Sequence, residues 1–170
     1  MKHFFRLSIL AVVGLTLEST ILEKIAIAGV KPDLMLVIVI FYALLYGEIP
    51  AAKLGFIYGL LEDLATGKFI GINTISKMLT GYLVGLGEGK LYSDNLMVPV
   101  IGLFIGSIAN YLCFFILGII VGHPEVFPVE SFFQTIMIST IYNVCLAPFL
   151  YGRYYRLVRG TSKRSINTRT

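Results

Sequence analysis

Apolar residues run in six stretches along the chain, separated by short polar or glycine-containing segments. The stretches predict six helices: Phe4 to about Leu22, Leu34 to Tyr46, Ala51 to Ala65, Ile70 to Leu86, Leu96 to Val121 and Phe132 to Tyr151. Residues four apart share one face of a helix, and this spacing sorts the interruptions into stripes. Gly14 and Glu18 form one. Gly55, Gly59 and Asp63 form a second, Asn73, Lys77, Gly81 and Gly85 a third, Gly102, Gly106 and Asn110 a fourth, and Ser139, Asn143 and Ala147 a fifth. Each stripe joins small residues to a polar one. Small faces let helix backbones approach closely in lipid, where packing rather than hydrophobicity drives association. The polar members must then face the interior of a bundle.

The second and third stretches supply roughly 15 residues each, against about 20 needed to cross a ~30 Å hydrocarbon core. They either thin the bilayer locally or form a re-entrant pair buried by the other helices. Gly47-Glu48-Ile49-Pro50 between them reads as a tight turn, glycine ending one helix and proline opening the next.

Composition places these helices in a bilayer. Hydrophobic residues make up 56% of the chain, charged residues 14%, and the mean hydropathy is +0.83. Soluble domains sit near one-quarter charged. The expected class is an all-α integral membrane protein with six transmembrane helices: one membrane domain over residues 1–155, and a basic cytoplasmic tail over 156–170. Lys2 and Arg6 before an apolar run resemble a signal peptide, but Glu18 and Glu23 follow with no small-x-small cleavage pattern, so a retained span is expected. Cys113 and Cys145 lie inside apolar runs and read as small core residues. His3 and His123 are far apart in sequence, and no phosphate loop, HExxH or serine elbow is present, so neither metal, cofactor nor catalytic residues are assigned. The only basic run is a short tail without interleaved stacking aromatics, which argues against nucleic acid.

Orientation follows from the basic residues. With the N-terminus cytoplasmic, the inner segments hold Lys2, Arg6, Lys53, Lys90, Arg153, Arg156, Arg159, Lys163, Arg164 and Arg169, and the outer ones hold Lys24, Lys31 and Lys68. Tyr151, Tyr154 and Tyr155 then anchor the inner interface. In this arrangement Glu18, Asp33, Glu62, Asp63, Asn73 and Lys77 all fall toward the outer half, and predict a polar cavity there to which Asn110 and Asn143 also belong. Lys77 is the one basic residue well inside a span, with Asp63 or Glu62 as its natural ion partner, because an unpaired charge there costs several kcal/mol. The cavity reads as a structural hydrogen-bond network, a pocket for a small ligand, head group or partner segment, or an ion path. The glycines Gly55, Gly59, Gly81, Gly85, Gly102 and Gly106 read as helix-packing positions.

One ordered set of motifs goes further. Pro32-Asp33-Leu34 opens an apolar run. Gly55-Phe56-Ile57-Tyr58-Gly59-Leu60-Leu61-Glu62-Asp63-Leu64-Ala65-Thr66-Gly67 follows, then Gly71-Ile72-Asn73, then Gly81-Tyr82-Leu83-Val84-Gly85. In this order and spacing the stretch from Pro32 to Gly85 resembles the MreD family of rod-shape-determining membrane proteins, with Lys77 outside the matched pattern. The resemblance implies a non-enzymatic subunit of the bacterial cytoplasmic membrane, and the distribution of basic residues places both termini on the cytoplasmic side. Its implied partners are MreC, a single-span protein with a periplasmic domain, together with the MreB filament, RodA and a class B penicillin-binding protein, in lateral peptidoglycan synthesis. The family fold resembles the six-helix substrate-binding subunits of energy-coupling-factor transporters, which makes a vitamin or small-solute capture subunit the alternative function.

Overall fold

A computed structural model describes residues 2–20, 24, 26–27, 29–67, 70–87, 97–122 and 129–159. Among the described residues there are six helices: α1 (Lys2–Thr20), α2 (Leu34–Tyr46), α3 (Glu48–Thr66), α4 (Ile72–Gly85), α5 (Met97–Ile120) and α6 (Val129–Arg159). Among the described residues there is no strand, only an isolated antiparallel bridge between Ile27 and Val30. Most of the basic segment after Tyr155, together with Lys68, Lys90 and His123, lies outside the described residues.

The chain boundaries follow local chemistry. Asp33 caps α2, its Oδ1 accepting from the Leu36 N–H at 2.7 Å and satisfying a donor that helix geometry leaves open. Gly47, at φ 82°, supplies a conformation that side-chain-bearing residues rarely adopt, and so joins α2 directly to α3. Pro50 sits in the first turn of α3, where its missing N–H costs nothing. As a result α3 is 19 residues long, longer than the apolar run alone suggested. The short helices are α2, at 13 residues, and α4, at 14. Each is about 20 Å long.

Helix α2 is the centre. It packs against α1, α3, α4, α5 and α6, and Met35, Leu36, Val37, Val39, Ile40, Phe41 and Ala43 are all buried. Phe41 meets the rings of Tyr151 and Tyr154 of α6 with centroids 5.1 and 5.7 Å away. Tyr58 of α3 donates its hydroxyl to the Leu7 carbonyl of α1 at 2.7 Å. These contacts surround a helix too short to cross a ~30 Å core alone.

Helices α3 and α4 form the tightest pair, antiparallel and almost without side chains between them. A Cβ on Gly59 would lie 2.5 Å from the Asn73 carbonyl oxygen, and one on Gly81 would lie 2.7 Å from that of Ala51. Gly55 faces the Lys77 carbonyl and Gly85 faces Glu48 at similarly close range. The contacts step by about one turn along both helices, so the backbones lie against each other over most of the length of α4. Gly102 and Gly106 of α5 receive side chains instead, Leu44 and Ile40 of α2.

Burial is inverted relative to a water-soluble protein. Asp63, Ser76, Lys77, Thr80, Ser107, Ser139 and Asn143 are 0% exposed, while Phe5, Phe104, Ile120, Phe133, Met137 and Phe149 are each more than half exposed. Such a surface suits hydrocarbon. Among the described residues two helices are long and apolar enough to cross a membrane, Met97–Ile120 and Phe132–Tyr154, with mean hydropathy 2.2 and 1.4.

Candidate functional site

The polar interior gathers at the end of the bundle where α1 and α3 finish and α2 and α4 begin. Its centre is Lys77, whose side chain is fully buried. The ammonium lies 2.7 Å from Asp33 Oδ2 and 2.7 Å from Glu62 Oε2, with Asn73 Oδ1 at 3.5 Å one turn away. A buried lysine needs such partners, because an ammonium removed from water is stabilised only by close opposite charge and hydrogen bonds.

Of the two partners expected for Lys77, Glu62 takes the role and Asp63 does not. Asp63 commits its carboxylate to the start of α4. Its Oδ2 accepts from the Gly71 N–H (2.8 Å), the Thr74 N–H (3.0 Å) and the Thr74 hydroxyl (2.6 Å), and its Oδ1 accepts from the Asn73 N–H (3.2 Å). A carboxylate at a helix N-terminus satisfies open donors and meets the positive end of the helix dipole. Gly71, at φ 106°, turns the chain so that these N–H groups converge on one side chain.

Asp33 takes the place beside Lys77. It belongs to a second helix start, where Glu18 Oε1 accepts from the Met35 N–H at 3.0 Å. The Asp33 N–H donates to Asn143 Oδ1 of α6 at 3.0 Å, and Asn143 Nδ2 donates to Ser107 Oγ of α5 at 3.0 Å. One chain of polar contacts therefore runs from α4 through α2 to α6 and α5.

Beside this chain is a cavity of about 180 Å³, lined by Glu18, Lys31, Pro32, Asp33, Glu62, Asn73, Asn110, Tyr111 and Phe114. Lys31 donates to the Glu18 carbonyl at 3.2 Å. Asn110 is 1% exposed, and its amide oxygen has no hydrogen-bond partner. Of the polar residues singled out in the sequence, Glu18, Asp33, Glu62, Asn73 and Asn110 line the cavity. Lys77, Asp63 and Asn143 lie behind it and hold the helices that shape it. Tyr111 and Phe114 were missed. Ser107, which binds Asn143, is absent from the predicted set too; Phe114 continues the stripe Gly102, Gly106, Asn110 by one more step of four and Ser107 lies three residues before Asn110, so the spacing already carried these two, whereas Tyr111 lies off that stripe. Among the described residues no group of three metal-binding side chains is close enough to hold an ion. Cys113 is half-buried and Cys145 exposed, both as free thiols.

An all-helical body with an apolar exterior and an ionised interior defines a membrane protein. A family comparison is more specific: the description rod shape-determining protein MreD matches residues 1–158, and the chain belongs to the MreD family. No curated protein and no solved structure gives a match.

Proposed function

We propose that the chain is a non-enzymatic, six-span scaffold subunit of the complex that builds the side wall of rod-shaped bacteria, in the cytoplasmic membrane with both termini inside. The observation that carries this reading is the family match, which runs through all six helices. Shape determination assigned to an all-helical body fits assembly with other membrane spans. The rigid α3–α4 pair and the central α2 provide a stiff core, and α5 and α6 present long apolar faces on which partner spans can pack. The partner fitting that role is an MreC-like single-span protein, linking the subunit to an MreB filament and to RodA with its class B penicillin-binding protein.

The alternative, a solute-capture subunit of a transporter, draws support from the cavity beside Lys77. One experiment separates the two: light cross-linking of native membranes, followed by mass spectrometry of what co-purifies with the tagged chain. The scaffold reading expects a single-span periplasmic partner with wall-synthesis enzymes. Recovery of nucleotide-hydrolysing subunits with a coupling membrane protein, and none of the wall enzymes, would overturn it in favour of solute capture.

A further inference from the structure

The cavity beside Lys77 is chemically one-sided. Glu18, Asp33 and Glu62 contribute three carboxylates to its wall, against the ammonium of Lys31 on the wall and that of Lys77 behind it. One buried atom of a lining residue without a hydrogen-bond partner, the amide oxygen of Asn110, is also an acceptor. A buried acceptor without a donor keeps its desolvation penalty uncompensated, so the wall lacks a donor at that point. The wall also carries two aromatic residues, Tyr111 and Phe114, on the same helix as Asn110. Aromatic faces attract cations, most strongly where water is excluded.

We propose that this cavity is a receptor for an ammonium group. The group donates to the Asn110 amide oxygen beside the carboxyl groups of Glu18, Asp33 and Glu62, and lies against Tyr111 and Phe114. At about 180 Å³, against the ~10–15 Å³ of such volume that one water-sized group needs, the space takes a short alkylammonium rather than a bare ion alone. Two sources share this chemistry: a soluble amine and the ethanolamine headgroup of a membrane lipid. The assignment holds whether the chain acts as scaffold or as capture subunit, since it concerns what the cavity recognises and not what the complex does.

The test uses the full chain in nanodiscs of phosphatidylglycerol, which carry no amine headgroup, with empty discs as the blank. Butylammonium, butanol and butyrate are titrated by saturation-transfer NMR. Butylammonium is expected to bind saturably and about tenfold tighter than butanol, with butyrate weakest. Glu18→Gln keeps an oxygen for the Met35 N–H while removing the ionisable carboxyl. It should weaken butylammonium about tenfold and leave butanol unchanged. Phe114→Leu should weaken butylammonium about fivefold. Helical circular dichroism and elution volume confirm that each variant is folded. Nanodiscs containing phosphatidylethanolamine identify the source: loss of butylammonium binding points to the lipid headgroup, and undiminished binding points to a soluble amine. Equal affinity for butanol and butylammonium, tighter binding of butyrate, or no saturable binding of butylammonium above empty discs would overturn the proposal.

Discussion

Asp63 holds Thr74 twice, accepting from its backbone N–H at 3.0 Å and from its hydroxyl at 2.6 Å through the same oxygen. With the Gly71 and Asn73 N–H groups also bound, one buried side chain of α3 closes the first turn of α4. Asp63→Ala removes all four hydrogen bonds and leaves buried donors open, which should cost at least about 3 kcal/mol. Asp63→Asn retains one acceptor and the shape, and should fall between the two. Thermal unfolding of the purified variants in detergent checks the order. Equal melting of the alanine, asparagine and unaltered proteins would mean that α4 is not held by this carboxylate.

Lys77 gives the second prediction. Lys77→Met leaves Asp33 and Glu62 facing each other without their shared cation, and should cost about 3–5 kcal/mol. Glu62→Gln should be much milder, because the Asp33 contact at 2.7 Å remains. Double-mutant cycles then separate partners from neighbours. Strong coupling is expected for Lys77 with Asp33 and with Glu62. Weaker coupling is expected with Asp63, whose oxygens face N–H groups of α4. A Lys77–Asp63 coupling larger than that with Asp33 would contradict the geometry.

These two sites show what the linear pattern could and could not carry. The six apolar runs give the helices and their order, and α2 keeps the limits Leu34 and Tyr46 read from the sequence. The four-residue spacing places Gly55 and Gly59 on one face and Gly81 and Gly85 on another, because it reports only on positions within one helix. Which face meets which is a tertiary fact. So is the choice of Asp33 over Asp63 for Lys77: Asp33 lies far away in sequence, at the start of another helix, and its second oxygen reaches α4 only once α2 is central. The number of crossings is less legible still, since α2 and α4 are too short to span alone while α3 begins inside its turn.

The glycines divide into two groups with different expected costs. At Gly55 and Gly59 a methyl group would meet the backbone of α4, which cannot move without separating the helices. Gly55→Ala and Gly59→Ala should each destabilise by about 1–3 kcal/mol, and Gly59→Leu should lower the yield of any complex that depends on this pair. At Gly102 the methyl meets the end of the Leu44 side chain at 3.0 Å. That chain can adjust, and alanine gains up to about 1 kcal/mol of helix propensity over glycine, so Gly102→Ala should be near neutral. Melting temperatures of the three alanine variants, measured side by side, test the division. A Gly102 variant as damaged as the Gly55 variant would remove the distinction between backbone and side-chain contact.

Asn143 links three helices through two hydrogen bonds, receiving the Asp33 N–H and donating to Ser107 Oγ, each at 3.0 Å. It is fully buried, so no water replaces either partner. Asn143→Leu conserves most of the volume but strands two polar groups, for an expected loss of about 1–3 kcal/mol. The loss comes from groups left without partners rather than from the hydrogen bonds themselves, and that separates this site from a simple packing position. Adding Ser107→Ala to Asn143→Leu removes one stranded group, so the double variant should be no less stable than the single one despite carrying an extra substitution. Chemical denaturation of the two variants in matched micelles measures the difference. Additive losses would show that Ser107 and Asn143 act independently, and that the contact between α5 and α6 at this level is held by packing alone.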